Sequence, residues 1–154
     1  MPVNARFDDQ IIFQVAFITD NIEKTKQWMA EFFDMPVPET IITAPRSESE
    51  AEYIGKPTDA RGKLAFFKFG NTTLELIEPD RQPSCWREFL DRNGPGFHHF
   101  AFKVRGMKEK TAAFEKGGYP LLQKGEFAGG RYAYFDTENK FGALIELLEF
   151  DQAA

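Results

Sequence analysis

The chain has 154 residues but only one cysteine, Cys85, and two histidines, the adjacent pair His98-His99. One thiol cannot close an internal disulfide, so a reducing, cytoplasmic setting is expected. No His lies near Cys85 in sequence, so it reads as a buried apolar contact rather than a nucleophile. Adjacent residues of a regular strand point to opposite faces, so only one of the two histidines is expected to face inward. That argues against a non-haem iron oxygenase, whose ligand triad needs two His on different strands plus a carboxylate. No apolar run reaches the roughly 18–20 residues that cross a bilayer, and the first residues show no signal-peptide pattern, so a soluble protein with no membrane partner is expected. Lys and Arg number 19 against 24 Asp and Glu, a formal charge of −5. Nucleic acid is therefore not an expected partner, because binding its backbone needs a basic surface. An anionic small molecule held by a few local cations stays open.

What the chain does have is phenylalanine: 17 of them, within a hydrophobic fraction of 42%. Phe brings large apolar area with no polar atom to satisfy, so a core can be built. The Phe-rich runs also repeat. Gln14-Val15-Ala16-Phe17 is echoed by His99-Phe100-Ala101-Phe102, and Leu74-Glu75-Leu76-Ile77-Glu78 by Ile145-Glu146-Leu147-Leu148-Glu149. Two matches in the same order at similar offsets point to an internal duplication, with extra residues in the first half.

The first half reads as a strand at 11–18 and a helix from Asn21 to Phe33, with Ile22, Lys26, Met29, Phe32 and Phe33 at helical spacing. The helix ends before Pro36 and Pro38. A short strand at 41–43, a polar loop at 45–62 and a hairpin of 64–69 with 72–78 about Gly70-Asn71 follow. A linker over 79–95 contains a short amphipathic helix at 83–92. The second half gives a strand at 97–104, a helix at 107–116 stopped by Gly117-Gly118, and strands at 119–124, 131–136 and 143–150. The fold class is α+β: two tandem β-α-β-β-β units, 11–78 and 96–150, within a single domain spanning 1–154.

Side-chain alternation sorts each strand into two faces. Val15, Phe17, Leu74, Leu76, Phe100, Phe102, Val104 and Leu147 suit a face covered by helices. Gln14, Glu75, His99 and Glu146 occupy mirrored places on the opposite face. Each is unremarkable alone; together they place an amide, an imidazole and two carboxylates on one surface.

The duplicated arrangement resembles the vicinal-oxygen-chelate superfamily, which includes glyoxalase I, methylmalonyl-CoA epimerase, extradiol dioxygenases and bleomycin-resistance proteins. The likeness is carried by Gln14-Val15-Ala16-Phe17, Gly70-Asn71-Thr72-Thr73-Leu74-Glu75-Leu76, Gly96-Phe97-His98-His99-Phe100-Ala101 and Gly142-Ala143-Leu144-Ile145-Glu146-Leu147. It implies a curved, mostly antiparallel sheet around a cup that holds one divalent metal ion, with Gln14, Glu75, His99 and Glu146 as ligands and a homodimer as the assembly. That ligand set is similar to one class of glyoxalase I (lactoylglutathione lyase), whereas the linker and second half look closer to the epimerases. An extra sheet carboxylate of some epimerases has no counterpart, its place falling near Ala65.

Two glutamates, one neutral imidazole and one amide balance a 2+ ion, and such a set suits Zn, Ni, Co or Mn without choosing among them. A metal there would act as a Lewis acid, stabilising the enediolate formed when a C–H beside a carbonyl loses its proton. Glu146 is the first candidate base and Glu75 the second. The expected function is a metal-dependent lyase or isomerase. Its small-molecule substrate would be a thiol adduct of a 2-oxoaldehyde or, in the epimerase-like alternative, an acyl thioester. Lys103, Arg131 and Arg61 are candidates to hold an anionic part of it. The competing class is a non-catalytic binder that sequesters a drug or metabolite in the same hollow.

Overall fold

The computed structural model describes residues 5–152, and its strands form one continuous ten-stranded sheet curled into a half-barrel. The elements run β1 (Gln14–Ile18), α1 (Ile22–Phe32), β2 (Ile41–Ile42), α2 (Arg46–Ser49), β3 (Glu52–Tyr53), β4 (Lys56–Pro57), β5 (Gly62–Lys68) and β6 (Thr73–Pro79). They continue with α3 (Cys85–Asn93), β7 (Gly96–Lys103), α4 (Met107–Lys116), β8 (Leu121–Phe127), β9 (Gly130–Phe135), α5 (Glu138–Phe141) and β10 (Leu144–Phe150). Across the sheet the order is β2-β5-β6-β1-β7-β10-β9-β8-β3-β4. The chain is α+β as expected, and the two units mirror each other about the antiparallel β1–β7 seam. The pairs β1–β6 and β7–β10 are parallel, and all other pairings among the described residues are antiparallel.

Local chemistry fixes the helices. Asn21 caps α1 by accepting from the Lys24 amide at 3.1 Å, and Glu78 of β6 takes the Ile22 amide at 2.9 Å, tying the helix start to the sheet. Ser84 caps α3 by accepting from the Arg87 amide at 2.9 Å. Helix α1 buries Ile22, Lys26 and Ala30, while Phe32, placed on its apolar stripe by spacing, stands 78% exposed. The true inward stripe uses Ala30, whose small side chain lets the helix lie close to Ala65 and Leu76.

Three apolar clusters build the layers. One sits between α1 and the outer face of β5 and β6 (Ala65, Phe67, Leu74, Leu76), and a second between α4 and the equivalent face of β9 and β10 (Phe114, Phe135, Leu147). The third lies on the inner face, where Trp86 and Phe89 of α3 pack against Ile18, Ile77, Tyr134 and Leu144 and close one end of the half-barrel. Helix α3 is held there by Gln123, whose Oε1 accepts from the Cys85 amide at 2.7 Å.

The polar stretch expected as a loop at 45–62 is organised. It leaves the sheet beside β5, where the Thr43 amide donates to Gly62, and crosses to the far edge, where β3 pairs with β8. On its way back Thr58 donates its hydroxyl to the Pro83 carbonyl at 2.6 Å. This strap supplies α2, β3 and β4, and it covers the β8 edge that would otherwise present unpaired backbone groups.

Candidate metal centre

The four middle strands set the site out in two rows. Glu75 of β6 is level with Ala16 of β1, which is level with His99 of β7; two residues along, Gln14 is level with Ala101, which is level with Glu146 of β10. Positions two apart share a face, so Gln14, Glu75, His99 and Glu146 all point into the cup. Ala16 and Ala101, both fully buried, stand between them and leave the space into which the longer side chains converge.

One feature of this seam departs from regular alternation. The β1–β7 register slips between Ala16 and Phe17, so that Ala16 faces His99 while Phe17 faces Phe97, leaving His98 as an extra residue. The bulge turns Phe97 to the outer side, with its ring 5.5 Å from Phe17 and 4.9 Å from Phe100. It also brings His98 to the inner side: both imidazoles are buried and both lie edge-on to Tyr134, at 5.8 and 4.9 Å. The expectation that only one histidine faces inward is therefore corrected, because alternation fails at a bulge.

Glu75 Oε1, His99 Nε2 and Glu146 Oε1 meet at the cup floor. The imidazole nitrogen is 3.6 Å from the first carboxylate and 3.2 Å from the second, and each residue offers a ligand atom within 4.8 Å of the others. None of these three buried atoms has a hydrogen-bond partner. Burial lowers the His99 pKa to about 3, so it is neutral and cannot serve as counter-ion to the carboxylates. Burial and the Glu146 charge push Glu75 well above the usual carboxylate range. Burial raises Glu146 as well, moderated by the Tyr134 hydroxyl beside it. Two carboxylates and a bare imidazole nitrogen with no cation among them form a donor set that fits a divalent ion.

Above this floor opens a cavity of about 640 Å³, bordered by Gln14, Glu75 and Glu146 and walled by apolar groups such as Leu64, Phe66, Ile77, Trp86 and Leu148. Gln14 is half-buried and lines the same cavity, so its amide oxygen faces the space above the floor. Arg61 lines the same cavity, with Nε donating to the Thr43 carbonyl at 2.8 Å. The other two cations expected at the substrate stand elsewhere. Lys103 is exposed and rests over the Phe13 and Phe150 rings at 5.0 and 5.8 Å. Arg131 borders a separate surface hollow and is paired with Glu126, Glu149 and Asp151. Strand β9 turns Arg131 to the face opposite Tyr132 and Tyr134, which is why it misses the cup.

On β5, Ala65 lies under α1, and the cup-facing places are Leu64 and Phe66. This strand therefore presents no carboxylate to the cavity. Sequence reasoning missed Tyr134 and Trp86. Tyr134 is level with Glu146 across β9–β10 and accepts a hydrogen bond from Trp86 Nε1 at 3.0 Å. The signal available was the period-2 pattern of Arg131-Tyr132-Ala133-Tyr134, which puts both tyrosines on one face.

Among curated proteins, the chain is 33% identical to YqjC of Bacillus subtilis over 89 residues, which cover 56% of this chain and 64% of that protein. Among solved structures, a hypothetical protein, BH1468 of Bacillus halodurans, superposes with a TM-score of 0.66 at 19% identity, covering 93% of this chain and 96% of the other. Methylmalonyl-CoA epimerase from Mycobacterium tuberculosis superposes with a TM-score of 0.62 at 17% identity, over 94% and 93% of the two chains. At these identities the structural likeness establishes a shared fold. The glyoxalase/bleomycin resistance protein/dioxygenase superfamily model matches residues 13–135, a span that takes in Gln14, Glu75 and His99. With that match over most of its length, on a curled sheet of the corresponding form, the chain belongs to the glyoxalase/bleomycin resistance protein/dioxygenase superfamily.

Proposed function

We propose that this chain is a divalent-metal-dependent lyase or isomerase of the glyoxalase type, which removes a proton next to a carbonyl and returns one nearby. The observation that carries this reading is the convergence of unpartnered Glu75 Oε1, His99 Nε2 and Glu146 Oε1 on the floor of an apolar-walled cavity. Gln14, Glu75, His99 and Glu146 would hold the cation. A divalent ion bound there supplies Lewis acidity toward the substrate's carbonyl oxygen, which favours loss of the adjacent proton.

The protein's own groups do the rest. Glu146, loosening from the ion, takes the proton on its carboxylate, and Glu75 is the second candidate base. The apolar walls keep water from competing for that proton. Arg61 provides a positive charge at the cavity wall for an anionic portion of the substrate, and the apolar surfaces of Leu64, Ile77 and Trp86 accept its uncharged portion. The first substrate class is the thiol adduct of a 2-oxoaldehyde.

One observation favours a second reading, epimerisation of a 2-methyl acyl thioester. Glu75 and Glu146 arrive from β6 and β10, on opposite sides of the β1–β7 seam. A carbon held between them has one carboxylate on each side, as exchange of a proton across two faces requires. The experiment is to load the purified protein with Zn, Ni, Co or Mn and follow deuterium incorporation from heavy water into both substrate classes. Glu146→Gln should slow exchange by about 10²–10⁴-fold. If no divalent metal is taken up, or if the loaded protein binds these compounds without exchanging a proton, the enzymatic reading fails and a binding role takes its place.

A further inference from the structure

A hydrogen bond beneath the centre involves neither carboxylate. His98 is 1% exposed and lies between the Phe89 ring at 5.1 Å and the Tyr134 ring at 5.8 Å. Its Nδ1 is 2.8 Å from Nδ1 of His99, a hydrogen bond between two buried imidazoles. Such a bond works only if one ring carries its proton on Nδ1 and the other does not. The opposite nitrogen of His99, Nε2, is the one aimed at Glu75 and Glu146. A neutral imidazole that offers the Nε2 lone pair must keep its proton on Nδ1. His99 is then the donor and His98 Nδ1 the acceptor, which leaves the His98 proton on Nε2. That atom is buried and has no hydrogen-bond partner among the described residues.

We propose that His98 is the positioning residue of this centre: by accepting the Nδ1 proton of His99 it locks that ring in the tautomer and orientation that present Nε2 to the ion. The proposal rests on the reading that Glu75, His99 and Glu146 hold a divalent cation. Ligating histidines are usually steadied by a carboxylate, a backbone carbonyl or water. Here a second, uncharged imidazole takes that part, so no third negative charge is added next to two buried carboxylates. The β1–β7 bulge is what makes it possible. In a regular strand His98 would point outward, and His99 Nδ1 would be left without a partner.

The test uses zinc-loaded protein, in which the tautomers are directly readable. In the ¹⁵N-labelled wild type, His99 should carry its directly bonded proton on Nδ1 and His98 on Nε2. Zinc affinity, measured by competition with a chelating dye, should fall by about 10–100-fold in His98→Phe, the usual effect of losing such a supporting partner. His98→Asn, which can place an acceptor oxygen near the site of Nδ1, should recover most of that loss. A His98 that merely packs would leave His98→Phe, with its ring retained against Phe89 and Tyr134, at wild-type affinity, and that result overturns the proposal. So does a His98 proton on Nδ1, a measurement on unmutated protein that stands even if a variant fails to fold. Wild-type protein that takes up no zinc removes the metal centre itself, an outcome distinct from normal uptake with unaffected variants.

Discussion

Replacing Glu146 with Gln should have opposite effects on the metal-free and the metal-loaded protein. In the metal-free chain Glu146 Oε1 is buried, unpartnered and close to another buried carboxylate. The neutral amide removes the like-charge repulsion, and its NH2 can donate to the unpartnered Nε2 of His99, 3.2 Å from that position. Satisfying a buried polar atom is worth roughly 1–3 kcal/mol. Glu146→Gln should therefore stabilise the metal-free protein at pH 8 by about 1–3 kcal/mol. For a chain of this size that raises Tm by about 2–4 °C per kcal/mol. Wild type gains more from the ion: at a hundred times Kd, binding adds about 2.7 kcal/mol, and the variant should forfeit most of it.

The pH dependence sharpens the test. Glu75 and Glu146 have folded pKa values above their unfolded ones, so their contribution is full below about pH 4.5 and is lost as pH rises through the folded values. His99 runs the other way, since its pKa falls from 6.5 to about 3 on folding and its contribution is lost as pH drops between those values. His98, also lowered by burial, acts with His99, and the imidazoles oppose the carboxylates between about pH 4.5 and 6.5. Above about pH 6.5 the carboxylates act alone until the buried Cys85 thiol, also raised, joins them near pH 9. Metal-free wild type should lose stability from pH 6.5 to 9. Glu146→Gln should lose less, and saturating metal should abolish the loss. Thermal unfolding by circular dichroism across this range, with and without each metal, measures all three. A metal-free Glu146→Gln less stable than wild type, or equal stabilisation of both proteins by metal, would refute the reasoning.

Two further outcomes follow from the same geometry. Gln14→Ala removes a neutral donor at the cup rim, and titration should show a Kd for divalent metal raised about tenfold, equivalent to 1.4 kcal/mol, with little change in metal-free stability. Ile54, a β-branched residue at φ 52° beside Gly55 in the β3–β4 turn, is 62% exposed and sits in the left-handed region that disfavours it. Ile54→Asn makes an Asn-Gly turn, and chemical denaturation should show a gain of roughly 1 kcal/mol with no effect on metal binding.

The order of elements and the composition of the site were readable because both are written in local periodicity. Alternation placed Glu75 out of phase with Leu74 and Leu76, and the repeat placed Gln14 and Glu146 at matching points, so two β-α-β-β-β units with polar residues on one face follow from sequence alone. Phe32 was misread because helical spacing cannot tell which of two adjacent apolar stripes is buried; that depends on Ala30 fitting against β5 and β6. The strap over 43–61 was legible only as a polar loop, since its short strand β3 pairs with β8, about seventy positions away in sequence.

The sequence by itself determined the duplicated fold, the acidic balance and the four side chains that share a surface. Tertiary structure decided what those side chains can do. Pairing β1 with β7 in one chain brings Glu75, His99 and Glu146 within 4.8 Å, and a one-residue slip in that pairing turns His98 inward beneath them. Periodicity carries the first because it acts between near neighbours. The second needs contacts between distant strands, and a bulge at such a seam arises from the partner strand as much as from the residues that bulge.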